Sequence, residues 1–383
     1  MNIEQAIEFF ADTSKTVEDF YKTGLCSYCG ACILVCPKNA ISYKEMEITV
    51  NEDCIYCGKC LQICSQNQKL RYVTKMSEKA DNFFISEYLP RLRDIPFGKF
   101  EGFYITKSSK ETVLKESMVG GTTLSLILYA LNSSQIDAAL ITDFDSNGFP
   151  TGKMVKSEEE LLISGGSKYL PSMSLSRLSK IIEDKNIQSL AITSLPCQAY
   201  AIRKFGTDPK TAVLNSKIKL VLTLFCGSGL PTKNDLKEYL KKNKVKEELS
   251  NLQVTKKKRK KFWRINPQDQ QRYIFSTPSN KEYNFSSRKI LGMKTKDNCR
   301  LLCPDYTGYF SDISIGAAGV TTNLTITRTK FGEKLFQEAL QAKYIKQKNL
   351  NFLEYFLINI MGNKKRQKNH LAYEKCFCDT RFY

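Results

Sequence analysis

The chain has 383 residues, enough for two or three domains, and 42% of them are hydrophobic, enough to bury a sizeable core. Its net charge of +19 is unevenly held, since residues 1–80 sum to −1 and leave +20 on the remainder. Fourteen cysteines stand against one histidine, His370 in the basic stretch "GNKKRQKNH", which excludes a Ser-His-Asp triad, histidine-ligated zinc and Rieske-type clusters unless His370 alone served, and leaves inorganic chemistry to thiolates.

The first residues, "MNIEQAIEFFADTSKTVEDF", mix acidic and apolar positions without the basic and continuous apolar regions of a secretory signal. The longest apolar runs, 124–131 and 218–225, fall far short of the roughly 20 residues that cross a bilayer. A cytoplasmic, soluble protein is expected, in which clustered cysteines bind metal rather than form disulfides.

Next comes "CSYCGACILVCP", then a near copy, "CIYCGKCLQICS". The spacing is Cys26-x2-Cys29-x2-Cys32-x3-Cys36-Pro37, then Cys54-x2-Cys57-x2-Cys60-x3-Cys64. Over about residues 20–70 this resembles the bacterial-type ferredoxin that carries two [4Fe–4S] clusters, in which three thiolates wrap one cubane and the fourth crosses to the other. The resemblance implies one cluster on Cys26, Cys29, Cys32 and Cys64, and a second on Cys54, Cys57, Cys60 and Cys36. Gly30 and Gly58 follow the second cysteine of each ladder, where the chain must turn tightly. Between the ladders, "ISYKEMEITV" alternates as a β-hairpin does. Ser65 stands where that family usually has proline, which removes no ligand. Two zinc ions, each on four thiolates, are the competing occupants.

A boundary is expected between about 70 and 95, in the polar stretch "QKLRYVTKMSEKADNFF". Beyond it, strands over 100–106, 136–142, 187–193 and 218–225 alternate with helices over 122–134 and 174–185, an α/β pattern with a mostly parallel sheet. The expected fold class is thus α+β, a small ferredoxin-like domain (1–80) followed by a larger α/β domain (95–320) and a basic, helical C-terminal extension (321–383). Ligands of such sheets gather beyond the carboxyl ends of the strands. Cys197 follows the strand 187–193 and Cys226 follows the strand 218–225, so both project toward one crevice. Cys299 and Cys303 could complete a four-thiolate site there, although each is otherwise an ordinary buried thiol.

The segments "GGTTLSLILYALNSSQIDAALIT", "SGGSKYLPS", "SLPCQAYAIRK", "LFCGSG" and "CRLLCPDYTGYFSDISIG" occur in the order found in the coenzyme F420 hydrogenase/dehydrogenase beta subunit family. The chain resembles that family over about 95–320. The resemblance implies bound FAD and a third [4Fe–4S] cluster in the large domain, with the deazaflavin F420 docking as substrate. Cys197, Cys226, Cys299 and Cys303 are the ligands it carries over. Members more often have two residues between the last two cysteines, where this chain has three. A reduced deazaflavin gives up a hydride, iron–sulfur clusters take electrons singly, and a flavin can stand between the two.

Gly120 and Gly121 precede a helical run, so they either meet a flavin phosphate at a helix N-terminus or simply turn the chain. The loop of Gly165, Gly166, Ser167 and Lys168 contacts an anionic cofactor or is a solvated turn. Six cations at 256–261, beside Phe262 and Trp263, suit the steering of an anionic deazaflavin or an acidic redox partner, or a solvated loop. No recognised nucleic-acid motif accompanies them, which disfavours nucleic acid. Cys376 and Cys378, at a spacing unlike the ladders, read as non-ligands. The expected function is an iron–sulfur flavoprotein oxidoreductase passing electrons between reduced coenzyme F420 and a ferredoxin, or hydrogenase or dehydrogenase subunits. The alternatives are a relative reducing a tetrapyrrole or sulfur compound, and an electron-relay subunit without deazaflavin activity.

Overall fold

The computed structural model describes, with gaps of one or two residues, residues 14–66, 99–227, 233–243, 251–256, 271–276, 281–286 and 303–349, together with 9 and 12. Cys299, Lys257–Lys261, Phe262, Trp263, His370, Cys376 and Cys378 lie outside the described residues.

The small unit begins with helix α1 (Val17–Lys22), started by a capping box in which Thr16 and Asp19 exchange hydrogen bonds. This helix buries Val17 and Phe20. Each ladder then forms a loop and a short helix, α2 (Ala31–Val35) and α3 (Lys59–Ile63). Between them, strands β1 (Ile41–Lys44) and β2 (Glu47–Val50) pair antiparallel, Ile41 opposite Val50, in the stretch whose alternation predicts a hairpin.

The large unit is built on an eight-stranded sheet of order β13-β3-β12-β11-β7-β6-β4-β5. Its strands are β3 (Gly102–Ser108), β4 (Ala138–Phe144), β5 (Pro150–Val155), β6 (Leu190–Ser194), β7 (Ile218–Leu224), β11 (Ile313–Ala317), β12 (Asn323–Thr327) and β13 (Ile345–Asn349). The four strands β11, β7, β6 and β4 are parallel neighbours. With β3 they make five strands of eight running one way, and β12, β13 and β5 run against them. A separate antiparallel sheet holds β8 (Asn251–Lys256), β9 (Gln271–Ser276) and β10 (Glu282–Ser286). The basic run therefore starts at the last residue of β8.

Strand periodicity divides the central sheet into two faces. Ala139, Ile141, Ala191, Leu220, Leu222 and Ile313 pack on helices α4 (Thr122–Asn132) and α8 (Lys330–Gln341). On the other face, Leu140, Leu190, Ile192 and Val221 share one core with helices α6 (Pro196–Ile202) and α7 (Ala212–Lys217), and with Ala31, Leu34, Val35 and Ile63 of the ladders. The small unit is thus part of a layer on the sheet. Gly30 is seated so closely that an added Cβ would lie 2.9 Å from the Met173 carbonyl oxygen.

Two stretches differ from expectation. The helix expected over 174–185 is a 3-10 turn (Ser174–Leu178) followed by a short α5 (Ser179–Ile182). Its serines bond locally and across the core: Ser179 Oγ donates to the Ser176 carbonyl, and Ser174 Oγ accepts from Gln198. The limit expected at 320 falls inside the sheet, because β12, α8 and β13 continue the same core. Within β12, Thr325 and Thr327 are buried and satisfied by Thr106 and Glu333.

Candidate functional site

The two ladders repeat one backbone geometry. Tyr28 and Tyr56 take φ of +54° and +51°, and Gly30 and Gly58 take +86° and +70°. A tyrosine at positive φ is uncommon, and both ladders hold one immediately before the second cysteine. The result is a pair of tight loops of the same shape. Cys26 lies in the electrostatic field of Cys64 and Cys29, and Cys32 in that of Cys29, Cys26, Cys60 and Cys64. Cys36, Cys54, Cys57 and Cys60 line a single cavity. Cys60 thus neighbours both groups, at Cys32 and in the cavity.

The chemistry of these donors suits a cationic centre. Burial pushes the Cys26 and Cys32 thiols well up, and neighbouring cysteines push them further, so thiolates here call for positive charge among them. Burial lifts Cys60 to about 11 against backbone N–H bonds from Val17 and Leu61. The N–H of Tyr28 donates to Cys26 Sγ at 3.3 Å and that of Ala40 to Cys36 Sγ at 3.2 Å, bonds of the kind that tune a cluster's potential. Among the described residues, no three His, Cys, Asp or Glu converge closely enough to hold a single metal ion. The eleven described cysteines are all free of disulfides.

In the large unit, the sequence-nominated residues that are described lie along the carboxyl edge of the sheet. Cys197 sits in the first turn of α6, three residues beyond Ser194, the end of β6. Cys226 lies three residues beyond Thr223, which pairs with Ser194 in the neighbouring strand. The Cys226 N–H donates to the Tyr306 carbonyl at 2.9 Å, which ties it to the loop that starts at Cys303. That loop is locked to α6 as well: Arg203 donates to the Phe310 carbonyl at 2.8 Å and to Asp312 at 3.1 Å. The Cys197 thiol donates to the Ser27 carbonyl at 3.7 Å, and Cys197 also adds to the field at Cys26. This edge therefore meets the first ladder at Cys197.

The Cys303 loop has its own frame, which sequence reading did not single out. Asp305, buried, accepts from the N–H groups of Gly308 and Tyr309 at 2.6 and 2.9 Å. Arg328, also buried, donates to Ser314 at 2.6 Å, to Thr307 Oγ1 at 2.8 Å and to the Lys99 carbonyl at 3.0 Å. Burial pulls its pKa down to about 10, with Asp305 and Tyr309 opposing, so it stays charged at neutral pH. Asp305 lies in the quoted "CPDYTG" segment, but only packing reveals that it and Arg328 fix this loop.

Gly120 and Gly121 sit at the carboxyl end of β3, both at positive φ. A Cβ on Gly120 would stand 2.2 Å from Asn323 Oδ1. The same oxygen accepts the first helical N–H of α4, from Thr122, at 3.1 Å. The pair thus turns the chain against β12, and part of the α4 N-terminus is already capped. Lys168, its side chain 6% exposed, lies 3.7 Å from Asp143 at the carboxyl end of β4 and donates to the Ser164 and Gly165 carbonyls. Asp143 also accepts from Ser164 Oγ at 2.6 Å and from Lys153 at 3.1 Å. Burial raises the Asp143 carboxyl, but Ser164, Lys168 and the other donors outweigh it and hold it below the usual 3.8. Ser167 bonds the hydroxyl of the half-buried Tyr169. Lys168 thus has an internal role as the anchor of its loop.

Comparison with known proteins finds relatives along most of the chain. Residues 103–179 match the family profile for the N-terminal part of the coenzyme F420 hydrogenase/dehydrogenase beta subunit, and residues 187–351 match the profile for its C-terminal part. Residues 25–68 match a 4Fe-4S dicluster domain. The coenzyme F420 hydrogenase subunit beta of Methanothermobacter thermautotrophicus is 24% identical over 281 residues, 71% of this chain and 93% of the relative. An F(420)H(2) dehydrogenase subunit of Methanosarcina mazei is 26% identical over 318 residues, 82% of this chain and 81% of the relative. Among solved structures, a chain of the F420-reducing [NiFe] hydrogenase complex from Methanosarcina barkeri superposes with a TM-score of 0.57 at 20% identity, covering 74% of this chain and 94% of that one.

Proposed function

Because the chain belongs to the coenzyme F420 hydrogenase/dehydrogenase beta subunit family and carries a 4Fe-4S dicluster domain, we propose that it is an oxidoreductase that moves electrons between reduced coenzyme F420 and one-electron carriers. Bound FAD would take the hydride and release its electrons singly. The observation that carries the reading is the line of groups along one sheet edge: Gly120 and Gly121 at β3, Asp143 with Lys168 at β4, Cys197 at β6 and Cys226 with the Cys303 loop at β7. The edge ends against the first ladder, where Cys197 meets Ser27.

Each part of the chain has a task in this reading. Cys197, Cys226 and Cys303, with Cys299, would hold a third cluster. Gly120, Gly121, Ser167 and Lys168 border the flavin, the glycines by close backbone approach and Lys168 by holding its loop. The first ladder receives electrons at Cys197. The second lies further out, where Cys57, Ile55 and Tyr56 are exposed and a ferredoxin or another subunit has access. Among the described residues, no helix is long and apolar enough to cross a membrane.

The test is anaerobic purification with iron, sulfide and flavin counts, followed by rapid mixing with reduced coenzyme F420. Flavin absorbance should bleach first and cluster absorbance after it, with NADH and NADPH as poor donors. Cluster reduction by another donor, with the flavin indifferent to the deazaflavin at any concentration, would replace this reading with the electron-relay alternative.

A further inference from the structure

The turn Phe205–Thr211 of the large unit reaches across to the small one. It is a rigid platform: Thr211, fully buried, donates to the Phe205 carbonyl at 2.8 Å, and Asp208 accepts from the Lys210 N–H at 2.9 Å. From it Asp208 binds Lys59 Nζ at 2.9 Å, and Lys59 lies between Cys57 and Cys60 in the second ladder. Lys210 Nζ donates to the carbonyl of Cys36, at the end of the first ladder, and to Asn39 Oδ1 at 2.9 Å. The two contacts fall on separate chain segments, yet Cys36, Cys57 and Cys60 line one cavity. The turn therefore holds together both segments that supply a single set of thiols.

Its charges are not equivalent. Lys59 feels Cys57 only weakly, and its ammonium is offset by Asp208. Lys210 meets two neutral acceptors, so neither contact cancels the charge it places at the Cys36 end of this thiol set. Reduction of a cluster adds one electron and no proton, so a nearby cation favours the reduced state and a nearby anion disfavours it. We propose that the turn Phe205–Thr211 is a clasp on the second cluster and that Lys210 and Asp208, acting in opposite senses, set its reduction potential. This rests on the ladder reading above and concerns only the cluster on Cys36, Cys54, Cys57 and Cys60.

The test uses the full chain, purified anaerobically and titrated with dithionite while electron paramagnetic resonance follows each cluster. Cys54→Ser identifies the signal of the second cluster. Lys210→Met should lower the potential of that signal by about 59 mV or more, a tenfold change in a one-electron equilibrium. Asp208→Asn, which frees the Lys59 charge, should raise it, and Lys210→Arg should leave it near wild type. The opposite signs separate electrostatic tuning from damage, because a merely structural contact would move both variants alike. Equal shifts in both variants, or an iron-replete Lys210→Met with an unmoved potential, would overturn the clasp alone. Zinc in the wild-type ladders would overturn the ladder reading and the clasp with it.

Discussion

Gly30 and Gly58 occupy equivalent places in the two ladders but meet different surroundings. Both need positive φ, but a Cβ on Gly58 would touch nothing within 4 Å, whereas one on Gly30 would press on the Met173–Ser176 backbone at 2.9 to 3.2 Å. Gly58→Ala should cost about 1–2 kcal/mol, the strain of a left-handed residue alone, and Gly30→Ala clearly more, as denaturant unfolding would measure. A smaller loss at Gly30 would mean that the small unit does not dock as closely as described. The cysteines give a second comparison. Serine at Cys197, Cys226 or Cys303 should each remove about four irons per chain, because each deletes one thiolate from one proposed site. An unchanged iron count in all three variants would remove the third cluster from the reading.

Among the elements, Asp143 at the end of β4 offers a measurable link between local charge and loop order. Replacing it with asparagine leaves Lys168 buried without that counter-charge and should cost about 3 kcal/mol at neutral pH. Its folded carboxyl titrates below the usual 3.8, so its contribution is complete above that value and is lost as pH falls through the depressed one. Chemical denaturation at several pH values should show the gap between wild type and Asp143→Asn closing in acid. Strands β4, β6 and β7 were legible as apolar runs because parallel strands are covered on both faces. Strand β12, "NLTIT", alternates as a strand does, but its place between β3 and β11 appears only in the folded sheet. Strand β13, "IKQKN", lies at the sheet edge and carries lysines, which suit an edge but give no apolar signal. The ladder thiols could be read from spacing, and Cys197 and Cys226 from strand ends. Nothing in "FGTDPKT" marked its turn as a contact with the ladders, because that role exists only once the units pack.

At the scale of the whole molecule, the ladders and the large unit share one apolar core, with Leu34, Val35 and Ile63 packed among Leu140, Leu175 and Leu178. Heating should therefore remove cluster absorbance and far-ultraviolet helical signal in a single transition. Two separated transitions would show that the small unit unfolds by itself. The net charge of +19 predicts that electron exchange with an acidic carrier slows as salt rises, since the Debye length shrinks to about 8 Å at physiological ionic strength. The unequal exposure of the two thiol sets also dictates an order of maturation. In the inner set Cys29, Cys32 and Cys64 are buried and Cys26 is partly exposed, whereas in the outer set Cys57 is exposed, Cys54 and Cys60 are partly so and only Cys36 is buried. Iron and sulfide for the inner set are therefore expected to arrive while the chain is still open, and those for the outer set after closure. A chain allowed to fold without iron should later take up about four irons promptly and the rest only on partial unfolding, whereas uptake in one phase would show that closure bars neither set.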